Sequence, residues 1–371
     1  MKKIVGILAA AAVLATSVFA ADVSAGVRLE GSLFKYDGTT EGVTALTINH
    51  NNQFYHAPIA FSISDDKAGG TLKLTDLDKN DVVSRCWSIW FKPVDALKIT
   101  VGEWTGNLNQ EKIDWCNTDS GIGAEDGTYT VSLTPVDGLS IDVSAVPGFG
   151  KPWFKDSKSY KGDDEAIVAD KDAKADDKKA AADRLTADKY ESTTGTLGFL
   201  MHYGADFGTI SAVFQGESNF KTLKFGAGYA NNFDGLDFFV NALGFYAGEE
   251  FKKVRAEVWL AKTIDAFTFQ TFIVGGYNLK GGYDASWWHV GQSGEAEKAF
   301  VGATAKLSYA MDGITPYLYF KSVNFLADPL TMEFKPGFTT KVGCCDIELA
   351  ADITVAKKVT FDVPVNFKVV F

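Results

Sequence analysis

Thr360-Phe361-Asp362-Val363-Pro364-Val365-Asn366-Phe367-Lys368-Val369-Val370-Phe371 closes the chain. Phe361, Val363, Val365, Phe367, Val369 and Phe371 are apolar, and Thr360, Asp362, Pro364, Asn366 and Lys368 stand between them. Only Val370 interrupts the alternation. A period of two sends one set of side chains to each face of a β-strand. An ordinary strand runs to about six residues, whereas crossing a bilayer takes about nine to eleven tilted residues. This stretch has the longer dimension. An edge strand of a water-soluble sheet is the competing reading, so the rest of the sequence has to decide.

The first strand after the amino-terminal segment alternates in the same way. Val23, Ala25, Val27, Leu29 and Leu33 are apolar against Asp22, Ser24, Gly26, Arg28, Glu30 and Ser32. A turn at Tyr36-Asp37-Gly38 leads to a weaker strand near Val43 to His50, and Asn51-Asn52 reads as a short reversal into Phe54 to Ser64. Asp65 to Val82 is polar and punctuated and reads as a long loop, with strand character only at Thr71 to Asp76.

Beyond it one phrase recurs. Pro93-Val94-Asp95-Ala96-Leu97 returns as Pro135-Val136-Asp137-Gly138-Leu139, and more loosely at Asp206-Phe207, Asp234-Gly235, Asp265-Ala266 and Asp312-Gly313. Asp-Gly tolerates the positive φ that tight hairpin turns demand. Each copy opens a run of alternation, such as Leu139, Ile141, Val143 and Ala145 against Ser140, Asp142 and Ser144. The repeating unit is therefore a hairpin. One segment departs from it: residues 151–194 are rich in Lys, Asp and Ala, and 163–190 reads as helix or disorder.

The chain has 371 residues and a net charge of −11, which excludes the dense basic patch that nucleic acid requires. Its 28 Phe, 13 Tyr and 36 Gly suit interfacial rings and tight turns. Residues 1–20 read as a secretory signal peptide: Lys2 and Lys3, an apolar core from Ile4 to about Val18, and Val18-Phe19-Ala20 before Ala21. No later apolar run is long enough for a membrane helix, so residues 21–371 can span a membrane only as a closed barrel with every backbone group paired.

The carboxyl-terminal aromatic on a long alternating strand, with the Asp-Gly hairpin repeat, resembles the bacterial outer-membrane β-barrels of the porin-like family. The resemblance implies an all-β fold, a transmembrane antiparallel up-and-down β-barrel of about 18 strands, with 16 the nearest alternative. It implies residence in the outer membrane among its lipids, insertion by the barrel assembly machinery through Phe371, and a homo-trimer of the kind porins often form. If the Asp-Gly turns face the periplasm, the intervening segments hold outer loops near 105–126, 151–194 and 280–297. The long 151–194 loop is then either a solvated excursion or an inward-folded constriction. Trp87, Trp90, Phe91, Phe207, Tyr229, Phe233 and Tyr277 fall near strand ends, where rings settle at a bilayer interface.

On this reading the polar faces line a wet lumen. The pore-lining candidates are Arg28, Glu30, Lys98, Asp142, Lys224, Arg255, Glu257, Lys321, Glu348, Asp352 and Lys368. Their mixed signs imply no strong anion or cation selection. Cys86 and Cys116 would both lie at the outer surface, where a disulfide or two free thiols are the alternatives. Cys344-Cys345 sit at a turn, and no cysteine has zinc-ligand spacing. His50, His56, His202 and His289 form no catalytic motif, and Asp114, Asn117, Asp119 and Asp126 fit no calcium-binding loop. The expectation is a non-enzymatic channel, without cofactor or metal, for passive diffusion of small polar solutes. The alternative is a surface-exposed structural or adhesin barrel presenting the 151–194 loop.

Overall fold

The structure, a computed structural model, describes residues 21–49, 59–75, 83–109, 112–113, 116–117, 121–146, 167–171, 173–186, 196–217, 222–247, 250–279 and 298–370. Residues 1–20, expected to be a signal peptide, and Phe371 lie outside them.

The chain runs β1 (Ala21–Asp37), β2 (Gly42–Asn49), β3 (Ile59–Ser64), β4 (Ala68–Thr75), β5 (Val83–Val94) and β6 (Leu97–Asn107). A short hairpin follows, β7 (Lys112–Ile113) with β8 (Cys116–Asn117). Then come β9 (Gly121–Val136), β10 (Leu139–Val146), the helix α1 (Ala175–Thr186), β11 (Thr196–Ala205), β12 (Gly208–Glu217), β13 (Thr222–Phe233) and β14 (Leu236–Ala247). The last elements are β15 (Glu250–Ile264), β16 (Phe267–Asn278), β17 (Lys298–Tyr309), β18 (Ile314–Ser322), β19 (Met332–Val342), β20 (Cys345–Ala350), β21 (Asp352–Val355) and β22 (Val359–Val370). Twenty of the strands form one antiparallel sheet, most of them hydrogen-bonded to their neighbours in chain order. The sheet closes on itself where β1 pairs with β22, from Gly26 opposite Val370 to Asp37 opposite Thr360. This closure leaves neither the first nor the last strand at a free edge, as a sheet needs in a solvent that offers no hydrogen bonds.

Two places differ from the sequence reading. β2 and β3 lie end to end on one flank of β1, β2 opposite Glu30 to Asp37 and β3 opposite Ala21 to Ala25. β2 and β3 therefore run in the same direction, and Asn51-Asn52, the expected site of a reversal, lie outside the described residues. β4 forms at Ala68–Thr75 inside the stretch read as a loop, paired with both β3 and β5. These two changes act in opposite directions on the strand count. β20 and β21 also lie end to end, between β19 and β22. The two joins take the 20 segments to 18 staves among the described residues.

Eight short turns fall together at one end. They are at Asp65 to Lys67, Asp95-Ala96, Asp137-Gly138, Asp206-Phe207, Asp234-Gly235, Asp265-Ala266, Asp312-Gly313 and Gly343-Cys344. Because an even number of staves alternates in direction, both ends of the barrel chain lie on this same rim. At the β13–β14 turn Asp234 has φ 50° and Gly235 has φ 73°, the left-handed pair a two-residue hairpin requires.

The faces are partitioned in the reverse of a soluble sandwich. Along β15, Lys253, Arg255, Glu257, Trp259 and Ala261 are buried on the inner face, while Val254 and Ala256 are exposed on the outer one. Val240, Phe269, Ile273, Val301, Leu307 and Leu318 on the neighbouring strands are likewise exposed outward. A closed belt of exposed aliphatic and aromatic side chains is stable against acyl chains and not against water. Rings mark its two borders. Near the tight turns Phe233 stacks on Phe238 at 5.2 Å, and Phe267 meets Tyr309 at 4.4 Å. Near the opposite rim Tyr246 and Phe225 both pack on Phe251. Trp90 is an exception to the expected girdle. It pairs with Thr100 on the inner face, beneath Lys92 and Lys98. Among the described residues no helix is long and apolar enough to cross a membrane.

Candidate functional site

Among the described residues the inner wall gathers the polar chemistry of the strands, and it divides into sectors. On β17 to β22 it carries a lattice of charges. Lys321 lies 3.7 Å from Glu333, and Lys335 lies 3.6 Å from Glu348. Tyr317 donates its hydroxyl to Glu348, and Asn366 donates to the same carboxylate at 3.0 Å. Lys306 stands 4.5 Å above the Tyr317 ring. Asp352 faces Asp362 directly across the β21–β22 ladder. On β9 to β12 the wall is nearly neutral, with Thr128, Thr130, Ser144, Ser211 and Gln215 all buried. Near the tight-turn rim Lys92 and Lys98 lie 5.6 Å and 4.9 Å from the centre of the Trp90 ring.

Most of the sequence candidates take their places on this wall. Lys98, Asp142, Lys224, Lys321, Glu348 and Asp352 are half-buried, and Lys368 is exposed. Arg28 and Glu30 pair along the backbone with Lys368 and Asn366 of β22, and their side chains lie outside the described set. Arg255 and Glu257 differ from the others. They face inward but are sealed, at 5% and 0% exposure, with Arg255 Nε 2.7 Å from Glu257 Oε1. A buried ion pair of this kind survives only when its remaining valences are met. Cys86 and Cys116 lie on β5 and β8 with undescribed side chains, while Cys344 is exposed, Cys345 half-buried, and both are free thiols. His202 meets Ser211 across the β11–β12 ladder at 2.6 Å. No group of three potential metal ligands occurs among the described residues.

What seals Arg255 and Glu257 comes from far away in the chain. Past the end of β6 the backbone turns inward and reaches the inner face of β11 to β14. Leu108 is buried against Leu200, Val213 and Leu243, one cluster on the inner face of β11, β12 and β14. In the ladder these residues flank Gly226, which pairs with Val213 on one side and Leu243 on the other. A Cβ on Gly226 would come within 3.0 Å of Leu108 Cδ1. Asn109 takes the equivalent notch two residues on. Gly228 lies between Ser211 and Asn241, and a Cβ there would come within 2.7 Å of Asn109 Nδ2. Asn241 Nδ2 donates to Asn109 O at 2.8 Å and to Glu257 Oε2 at 3.3 Å, while its Oδ1 accepts from Asn109 Nδ2 at 3.3 Å. Farther along, β7 lies against β16 and β17. The apolar cluster on the inner face there includes Phe239, Trp259, Phe272, Val274, Phe300, Tyr317 and Tyr319, all at most 7% exposed. In an open lumen those rings would be wet, so their burial shows that the lumen is narrowed on this side.

The sequence reading assigned a constriction, if any, to 151–194. Of that segment the structure describes residues 167–171 and 173–186, which include α1, where Ala181 is fully buried. The inward-folded residues it does describe follow β6. Leu108, Asn109 and Asn241 were absent from the sequence candidates, as were Lys306, Glu333 and Lys335. The signal for the last three was strand parity. For the first three it was Gly226 and Gly228, two glycines in step on the polar face of one strand, a mark of close approach by other chain.

No protein-family model matches the chain, and no curated protein matches it in sequence. Solved structures do match in fold. Pseudomonas aeruginosa OccK2 (OpdF) superposes with a TM-score of 0.54 at 9% identity, covering 95% of this chain and 97% of its own. The outer membrane protein opdK from Pseudomonas aeruginosa gives 0.52 at 9% identity, covering 94% and 98%. A BenF-like porin from Pseudomonas fluorescens Pf-5 gives 0.50 at 8% identity, covering 95% and 99%. OccK2 (OpdF) has also been solved in complex with glucuronate. At these identities the likeness is one of fold: the chain has the porin type of β-barrel over nearly its whole length.

Proposed function

We propose that the protein is a porin-like channel of the outer membrane, admitting small polar solutes by passive diffusion. One observation carries this reading: around a sheet closed by β1 and β22, the exposed apolar residues point outward and the ionic ones inward. About 18 staves enclose more space than wall side chains can fill, and charged walls keep that space hydrated. The match to OccK2 (OpdF), which has been solved with glucuronate, supports solutes of that size and polarity. The narrowing beside β14 to β18 supports selection among solutes over free passage of all.

In this reading residues 1–20 direct secretion, Phe371 delivers the barrel to its assembly machinery, and the channel does no covalent chemistry. Ser211 is fully buried and holds the His202 ring across the ladder, an arrangement that keeps its hydroxyl from any solute. Assembly into trimers belongs to the same proposal and is read by cross-linking in native membranes. The channel itself is tested with purified, folded protein in planar bilayers. Stepwise conductance is the expected result; silence from protein that still shifts in mobility on boiling would reject an open pore.

A further inference from the structure

We propose that Asn241 is the positioning residue that fixes the bore of the channel, by holding Leu108 and Asn109, which follow β6, to the inner face of β11 to β14. The inference rests on the channel reading. The wall around Asn241 is built to receive two consecutive residues. Gly226 and Gly228 alternate on the inner face of β13 and leave two gaps in the ladder, one filled by Leu108 and the other by Asn109. The first gap is lined with Leu200, Val213 and Leu243 and takes the apolar side chain. The second is lined with Ser211 and Asn241 and takes the amide. Any larger residue at either glycine would evict its occupant.

The amide of Asn241 is oriented, not merely placed. A carboxylate only accepts hydrogen bonds, so Glu257 draws Nδ2 toward itself and leaves Oδ1 for the Asn109 side chain. The same Nδ2 also reaches Asn109 O at 2.8 Å. Arg255 Nε lies 2.7 Å from the other oxygen of Glu257, so the carboxylate is held from both sides within the wall. Asn241 is thus the joint between a rigid ion pair in the wall and a segment 132 positions away in sequence. Without it the apolar contact of Leu108 and the contact of β7 with β16 and β17 remain, but the amide pairing that sets the height and rotation of Asn109 against this wall is gone.

The test compares wild type, Asn241→Leu, and a paired Asn109→Cys, Asn241→Cys variant in which the four native cysteines are serine. Each is checked for folding by its mobility shift on boiling. Unit conductance and the largest polyethylene glycol that enters the pore are then measured in planar bilayers. Asn241→Leu is expected to raise both. The paired variant should behave like Asn241→Leu when reduced and return to wild-type values when oxidised, because the new disulfide restores the tether. If Asn241→Leu fails to fold, the comparison of oxidised and reduced forms still decides, within one folded protein. A conducting wild type with neither quantity altered in the reduced pair or in folded Asn241→Leu overturns the positioning role alone. A wild type that never conducts overturns the channel reading instead.

Discussion

Ser32 of β1 donates its hydroxyl to Asp362 of β22 at 2.5 Å, across the seam where the first and last strands meet. The seam is irregular at this point, since its register shifts between Ser32 and Lys35. Asp362 also faces Asp352 on its other side, and like charges directly opposed weaken a ladder. The hydroxyl therefore compensates a charge at the least regular part of the closure. Ser32 is buried, so water does not replace it when it is removed.

Ser32→Ala should cost about 1.5–3 kcal/mol, the range for a hydrogen bond to a charged acceptor. The check is a urea titration of the folded protein in lipid vesicles, followed by the loss of the compact unboiled band. An unchanged midpoint would mean that the seam does not depend on this contact.

The outward face gives a second prediction, and its sign separates lipid from water. Ile273 lies in the middle of β16 and is 43% exposed, while Val342 ends β19 at the tight-turn rim and is 63% exposed. In water, lysine at either exposed site would be nearly neutral. Against a bilayer, Ile273→Lys should cost about 2–4 kcal/mol and Val342→Lys no more than about 1 kcal/mol, since the penalty falls from midplane to interface. The same urea titration reads both. Equal, small effects would place these faces in water and remove the membrane reading with them.

That partition was largely legible in the sequence, because a strand's period of two is strictly local. The hairpin turns were legible for the same reason: Asp234-Gly235 carries its backbone geometry in its own residues. β4 was not, because Thr71, Leu72, Lys73, Leu74 and Thr75 alternate properly but follow Asp65, Asp66, Lys67, Gly69 and Gly70, which read as loop. The continuation of β2 into β3 was hidden too, since a strand's direction is set by the partner it lies against, here β1. The sealing of Arg255 and Glu257 was hidden most deeply. Alternation assigns a residue to the inner face but says nothing of what covers that face, and the cover joins the wall through Asn109 and Asn241, 132 positions apart.

The charged sector yields a third prediction. Lys335 is 6% exposed and stands 3.6 Å from Glu348, so its charge offsets a carboxylate that Tyr317 and Asn366 also hold in place. Lys335→Gln leaves Glu348 fixed at the lumen wall with its nearest cation removed. A single charge acting on an ion about 7 Å away in water is worth about 0.6 kcal/mol, roughly a threefold change in relative permeability. The reversal potential under a salt gradient should accordingly move toward cation preference. A shift toward anions, or none, would show that this lattice does not face the permeating ions.

The tight-turn rim supplies the last prediction, one of pH. Asp65 Oδ1 accepts the backbone N–H of Lys67 and of Ala68, both at 2.7 Å, and so shapes the turn from β3 to β4. Those two donors, Lys67 first, hold the Asp65 carboxyl below its ordinary range. The folded turn therefore binds its proton less readily than the unfolded chain does. Its contribution is complete above the ordinary aspartate value of about 3.9 and is lost as the pH falls through the lower folded value. Asp95, held low by its hydrogen bond and ion pair with Lys67 at 2.5 Å, follows the same sign. Amide exchange at Lys67 and Ala68 should thus lose protection as the pH falls below about 4, relative to the middle of β4. Asp65→Asn keeps an oxygen acceptor for both N–H groups but no longer titrates, so its protection ratio should stay flat across that range apart from the smaller effect of Asp95. The same decline in wild type and Asp65→Asn would assign it to some other group on the rim.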